Sequence, residues 1–154
     1  MKIIYSGFIG STFNPIIEFC KIIAHINQNH HYIKFVLYSK FNSYEAKKRL
    51  EVYPFVEIND YVSQKELPQV LTAADFLFLP LSFEKRLSFT SLSMPTKTAE
   101  YMISGTPIIL YSPSNTALVD YAREKNWAYF ITTNQFDDAV RLFKGFLGNK
   151  KLRK

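Results

Sequence analysis

Cysteine is nearly absent from these 154 residues. Cys20 stands alone, which excludes an internal disulfide framework and a zinc site built on several thiolates. Long apolar runs are lacking as well. The longest, Phe76–Leu81, is interrupted by Pro80 and is far too short to span a bilayer. No charged-then-apolar leader follows Met1, so nothing in the sequence points to secretion. No internal repeat, low-complexity block or Pro/Gly-rich linker divides the chain. The setting these absences lead one to expect is soluble, reducing and cytoplasmic.

What is present fits a single globular domain, residues 1–148, with a basic tail at 149–154. Hydrophobic residues make up 47% and charged residues 21%, close to an average soluble protein, which excludes a disordered or fibrous chain. Aromatics reach 16%, with 14 Phe and 10 Tyr but one Trp. Nineteen Lys+Arg against 13 Asp+Glu leave a net charge of +6, which suits an anionic partner: nucleic acid, a nucleotide or a charged membrane surface. Much of the excess lies in two clusters, Lys47-Lys48-Arg49 and the terminal Lys144, Lys150, Lys151, Arg153 and Lys154. No basic helix or aromatic-basic strand motif appears, so nucleic acid is not expected as a partner.

Strand-like and helix-like segments alternate along the chain. Lys2–Ser6 reads as a short buried strand ended by Gly7. Asn14 and Pro15, a cap and a first-turn proline, predict a helix to about Asn27, with Ile16, Cys20, Ile23 and Ala24 as its buried stripe. Strands follow at Tyr32–Tyr38 and Val56–Ile58, separated by a short helix at Tyr44–Leu50. Ser63 and Glu66 have capping-box spacing, and Pro68 restricts them to a turn leading into a helix that ends near Ala74. Phe76–Leu81 is apolar on both faces, as a central parallel strand must be. Pro95 opens a helix with Ala99, Met102 and Ile103 as its stripe, ended by Gly105 and Pro107. The pattern closes with a strand at Ile108–Tyr111, a helix at Thr116–Lys125, a strand at Tyr129–Thr132 and a helix at Asp137–Phe146. Such alternation predicts a doubly wound, Rossmann-like α/β domain with a parallel sheet covered on both faces. Ligands of such folds bind beyond the C-terminal strand ends, which directs attention to the loops Gly7–Asn14, Asn59–Ser63, Ser82–Met94 and Ser112–Asn115.

The first of these loops lacks the G-x-G-x-x-G spacing of dinucleotide binders, and no Walker lysine follows. Its glycines permit close backbone approach, and Ser11, Thr12 and Asn14 offer neutral donors; a plain strand-to-helix connection fits the same residues. The segment Ser93-Met94-Pro95-Thr96-Lys97-Thr98-Ala99-Glu100 carries more chemistry. Pro95 at a helix start leaves the amides of Thr96 and Lys97 free for an anion, beside the Lys97 ammonium. Glu100, one turn on, lies on the same side. Phosphate at the amides and a ribose diol at Glu100 would together describe a nucleotide. An ordinary capped helix with a Lys97–Tyr101 surface pair fits the residues too.

Pro95 to Ile109 (PTKTAEYMISGTPII) resembles the donor-site helix of family 4-like, GT-B fold glycosyltransferases, whose pattern runs P-x-K-x-x-E-Y, a hydrophobic residue, x-x-G-x-P and two more hydrophobic residues. Lys2–Gly7 is similar to the strand opening their C-terminal domain. Asp60-Tyr61-Val62 followed by Leu67–Pro80 is similar to their base-binding turn, helix and strand. The resemblance covers nearly the whole chain, as the C-terminal, donor-binding half of such an enzyme.

The resemblance implies a role for each matching position. Glu100 would accept hydrogen bonds from the ribose hydroxyls, the amides around Thr96 and Lys97 would hold the distal phosphate, and Gly7 in the first loop is a further candidate for contact with the nucleotide. Lys97 would neutralise the leaving group, so the catalytic candidates are Lys97 and Glu100. Tyr61 and Val62 would meet the base, and Ser93 and Met94 would line the sugar or phosphate pocket. No cofactor or metal is implied beyond the substrate, a UDP- or GDP-linked sugar, and retention of anomeric configuration goes with the family. His25, His30 and His31 are then surface or helix-end residues. Two departures stand out: Leu92 occupies a position where many members carry a carboxylate, and Gly7–Asn14 has no base where many carry an Arg and a Lys. Lys85 or Arg86 is the expected substitute.

GT-B catalysis takes place between two domains, and one is present here. The expected partners are therefore the nucleotide sugar and an N-terminal acceptor-binding domain, in a longer chain or as a separate subunit, with a peripheral contact at the inner face of the membrane. Alone, the domain is expected to transfer nothing; it reads as an excised domain, a shortened reading frame or one subunit of two. Tyr44, Tyr53, Phe83 and Phe89 are candidates to face the missing partner, or to pack beneath the loops. A non-catalytic nucleotide-binding or regulatory α/β module would share the fold. A receiver-like domain would need acidic residues after the first strand, where Ser6-Gly7-Phe8 supplies none.

Overall fold

Isoleucines and a tyrosine fill strand β1 (Lys2–Ser6), which lies at the centre of a sheet and is buried from Ile3 onward. A computed structural model describes residues 1–28, 32–41, 43–84, 92 and 94–148. Within them the order is β1, α1 (Phe13–Asn27), β2 (Lys34–Tyr38), α2 (Tyr44–Glu51), β3 (Val56–Asn59), α3 (Leu67–Thr72), β4 (Phe76–Pro80), α4 (Lys97–Ile103), β5 (Ile108–Tyr111), α5 (Ala117–Lys125), β6 (Ala128–Ile131) and α6 (Phe136–Leu147). The strands form one parallel sheet in the order β3-β2-β1-β4-β5-β6, the doubly wound arrangement the alternation predicts.

Period-two alternation divides the strand side chains between two cores. Ile3, Tyr5, Phe35, Leu37, Phe78, Ile109 and Tyr111 pack with α1 and α6, whereas Ile4, Val36, Leu77, Leu79 and Leu110 pack with α3, α4 and α5. Much of the aromatic excess is used in the first core. Phe19 stacks on Phe78 with centroids 4.1 Å apart and meets Phe35 edge-on at 5.4 Å, geometries that add to the burial of each ring. No helix of the described residues is long and apolar enough to cross a membrane.

Helix ends depart from the expected signals in informative ways. Helix α1 starts one residue before Asn14, and Pro15 sits in its first turn, where no backbone bond needs the missing N–H. Asn14 does not cap; its amide donates to Glu84 Oε1 at 2.9 Å. Ile16, Cys20 and Ile23 are buried as expected, joined by Ile17, Phe19, Ile22 and Ile26. The Ser63 hydroxyl donates to the Glu66 carboxylate at 2.5 Å rather than capping an amide, so that segment makes the turn before α3. Strand β2 starts at Lys34, leaving Tyr32 exposed.

The expectation for α4 is corrected. Its buried residues are Thr98 and Tyr101, with Met102 partly buried against the same core, whereas Ala99 is exposed and Ile103 is 86% exposed. The helix is rotated so that Tyr101, which hydrogen-bonds the end of β1, faces the sheet with Thr98 beside it. The aromatic candidates divide as well. Phe83 packs on Tyr111 at 4.9 Å and Tyr53 on Phe55 at 5.5 Å, so both lie beneath their loops, whereas Tyr44 is exposed. Phe89 and the tail 149–154 lie outside the described residues.

Candidate functional site

The strand order reverses between β1 and β4, and the two strands part early. Their pairing covers only Ile3 with Phe76 and Ile4 with Leu77, so from Tyr5 onward β1 has no partner on that side. Helix α4 fills part of the gap. The Tyr101 hydroxyl accepts the Ser6 N–H at 2.9 Å, standing in for a strand carbonyl. Burial drives the Tyr101 phenol well above its ordinary range, so it keeps its proton. Tyr101 is therefore an anchor, not half of a surface pair with Lys97.

One turn earlier, Lys97 reaches across the C-terminal edge of the sheet. It passes over Gly7 (φ +139°), where a Cβ would lie 2.6 Å from its Nζ, and meets Tyr5 on the α1 side. The ammonium lies 4.0 Å from the Tyr5 ring centroid and donates to the Tyr5 hydroxyl at 2.8 Å. That hydroxyl donates in turn to the Phe8 carbonyl at 2.7 Å and lies 3.1 Å from Thr12 Oγ1. Desolvation brings Lys97 down to about 8, although the Glu100 carboxylate pulls the other way. Burial pushes Tyr5 up to about 12, with the Thr12 hydrogen bond opposing it. At neutral pH the pair is thus an ammonium on a neutral phenol. An ammonium has three donors, and the described residues accept one of them. A desolvated cation with spare donors at a switch point is what an anion would neutralise.

The other candidates are less tightly assembled. Glu100 is exposed and its carboxylate makes no hydrogen bond among the described residues, but lies close enough to Lys97 to act on its charge. Met94 and Thr96 are exposed on the approach to α4; the Thr98 N–H turns back to the Pro95 carbonyl at 2.9 Å. Tyr61 (55% exposed) and half-buried Val62 follow β3, two strands away, and no hydrogen bond or ring contact joins them to Lys97 or Glu100 among the described residues. They adjoin a hollow at the ends of β2 and β3 lined by Ser39, Phe41, Ile58, Asn59 and Asp60. Ser93, Lys85, Arg86, His30 and His31 lie outside the described residues, and His25 meets Phe136 edge-on in the last turn of α1.

Sequence reasoning missed Tyr5 and Tyr101. Both are polar-tipped rings in otherwise apolar or helical stretches, and a buried phenol needs a partner. That requirement was the available signal.

The sequence model of the family described as glycosyl transferases group 1 matches residues 2–142. No curated protein matches in sequence. Among solved structures, trehalose-6-phosphate synthase OtsA is similar with a TM-score of 0.67 at 12% identity, over 99% of this chain and 37% of that one. AviGT4, a glycosyltransferase involved in avilamycin A biosynthesis, gives 0.61 at 16% identity, over 93% and 42%. An E. coli structure described as trehalose-6-phosphate bound with UDP-2-fluoro glucose gives 0.62 at 10% identity, over 99% and 38%. The chain therefore spans 37–42% of the length of these solved chains, and at such identities the likeness is one of fold. By the family match, the chain belongs to the group 1 glycosyltransferases, and it has the Rossmann-like architecture of a C-terminal GT-B domain.

Proposed function

We propose that this domain binds the donor of a glycosyltransferase, a nucleoside diphosphate sugar, and transfers its sugar only together with an acceptor-binding N-terminal domain. The observation that carries the reading is the Lys97 ammonium, held over Gly7 at the switch point with one of its donors accepted among the described residues. Charge builds on the diphosphate as the glycosidic bond breaks. A cation already partly shielded from water stabilises that charge more than a solvated one would, because it is less screened and less reorganisation is needed. The first loop supplies no base, and Lys97 brings one to it from α4.

In this reading Glu100, exposed one turn into α4, accepts the ribose hydroxyls. The amides at Thr96 and Lys97 meet the distal phosphate, and Tyr61 and Val62 flank the base beside the hollow at β2 and β3. A solved chain of similar fold binds UDP-2-fluoro glucose, which supports a UDP-linked donor, with GDP the alternative. We further propose a metal-independent, retaining transfer to a glycan or glycolipid in polysaccharide assembly, at the cytoplasmic face of the membrane. These finer points follow from the resemblance of the Pro95–Ile109 segment to the donor-site helix of family 4-like enzymes.

Calorimetric titration with UDP, GDP, ADP and CMP tests the donor site, repeated on Glu100→Ala. A preference for one diphosphate, weakened by about 1–3 kcal/mol in the variant, is expected. No binding by any of the four overturns the reading, and turnover of a nucleotide sugar by residues 1–154 alone overturns the need for a partner domain.

A further inference from the structure

We propose that Tyr5 is a positioning residue of the donor site: its hydroxyl, fixed by Thr12 and the Phe8 carbonyl, holds the Lys97 ammonium over Gly7 and so ties the order of the first loop to the charge offered to a diphosphate. The inference rests on the proposed function and goes beyond it, because Tyr5 itself touches no substrate.

A phenol oxygen has one proton and two lone pairs. The proton goes to the Phe8 carbonyl at 2.7 Å, and the Lys97 ammonium takes one lone pair at 2.8 Å. Thr12, 3.1 Å away, is therefore the donor to the other, and the hydroxyl is saturated. Phe8 and Thr12 flank Gly10 in a loop with no charged side chain, and Lys97 comes from α4 on the opposite side of the sheet. One oxygen thus joins the two sides of the crevice. Without it, a flexible lysine stem would be free to turn its ammonium out into water, at a lower cost in desolvation. The ring below adds a face that attracts the cation but does not direct its hydrogens. Among the described residues, the titratable groups acting on Lys97 are Tyr5 from β1 and Glu100 from its own helix; both also act on Tyr101, which carries no charge near neutrality.

The test compares Tyr5→Phe, Thr12→Val and Lys97→Met in the full chain, reading UDP and GDP affinity against pH and the NMR titration of the Lys97 ε-carbon without ligand. Tyr5→Phe keeps the ring. It should weaken diphosphate binding about tenfold and move both the affinity midpoint and the ε-carbon titration to higher pH, since an ammonium released into water escapes the desolvation that lowers it. Thr12→Val, which leaves Tyr5 in place, should move the same readouts by less, and it carries the test if Tyr5→Phe does not fold. An unchanged Lys97 titration and unchanged affinity in both variants, alongside weakened binding in Lys97→Met, overturns this inference and leaves the donor site standing. Undiminished binding in Lys97→Met overturns the donor-site reading itself.

Discussion

The ammonium of Lys97 lies 2.6 Å, and its Cε 3.1 Å, from the point where a side chain on Gly7 would begin. No real Cβ tolerates the shorter distance, so the lysine crosses the sheet edge only because residue 7 has none. Gly7 also holds φ at +139°, a conformation that strains an L side chain. Two constraints, one of space and one of backbone, therefore meet at the first residue after β1.

Gly7→Ala should displace the lysine and strain the loop together. The expected cost is about 1–3 kcal/mol of stability, a fall in melting temperature of roughly 2–4 °C for each kcal/mol in a domain of this size. Nucleotide affinity should fall in the protein that remains folded. Thermal denaturation followed by titration with UDP checks both; an alanine variant matching the parent in both would show that Lys97 lies elsewhere in solution.

Lys97→Met should separate stability from binding. In the fold the lysine is brought from 10.5 to about 8, so between these values the unfolded chain holds a proton that the folded chain has released. Stability from this group therefore rises as pH climbs from about 8 towards 10.5, and below 8 the fold carries the full penalty of a desolvated charge. Methionine removes that penalty, so at pH 7 the variant should be the more stable, by on the order of 1 kcal/mol after allowing for solvent near the partly exposed side chain. The advantage should vanish by pH 10.5. Burial raises Cys20 in both proteins alike, and Tyr5 is pushed up to about 12, above this window, so below pH 10 the difference between the two unfolding curves reports Lys97. Binding runs the other way. The variant should lose diphosphate affinity, and the parent should lose it as pH rises past about 8.

How much of this was legible beforehand depended on which signal a residue obeyed. The sheet was, because FLFLP in β4 and KIIYS in β1 are apolar on both faces, and a strand covered on both sides needs little else to define it. The orientation of α4 was not. Its most apolar residues, Met102 and Ile103, suggest one face, yet two hydrogen bonds at the end of β1 select another. A helix of seven residues has little apolar surface with which to outweigh the bonds. Lys97 and Glu100 were nameable from their motif, but the cross-sheet path of the lysine to Tyr5 depends on β1 and β4 parting after Ile4, which no local spacing encodes.

Glu100→Gln should leave the fold intact, since the side chain is exposed and without hydrogen-bond partners among the described residues; its melting temperature should match the parent within the effect of a surface change. UDP should lose about 1–3 kcal/mol of binding, and 2′,3′-dideoxy-UDP should lose little, because only the former offers hydroxyls to the carboxylate. The carboxylate also supports the charge on Lys97, so its removal should move the pH midpoint of binding below that of the parent. An equal loss for both nucleotides would place the ribose away from Glu100.

Thr98 and Tyr101, the two buried residues of α4, should respond in opposite directions when their hydroxyls are removed. Tyr101→Phe leaves the Ser6 N–H without its acceptor in a place water does not reach, and should cost about 1–3 kcal/mol. Loss of amide protection at Ser6 in hydrogen exchange should accompany it. The Thr98 hydroxyl is buried and finds no partner among the described residues. Thr98→Val keeps its shape and discards an unmet polar group, so stability should hold or rise by up to about 1 kcal/mol. A helix held to the sheet by apolar contact alone would tolerate both changes. Two effects of opposite sign, three residues apart, would instead show that the Tyr101–Ser6 bond decides which face α4 turns inward, and with it where Lys97 points.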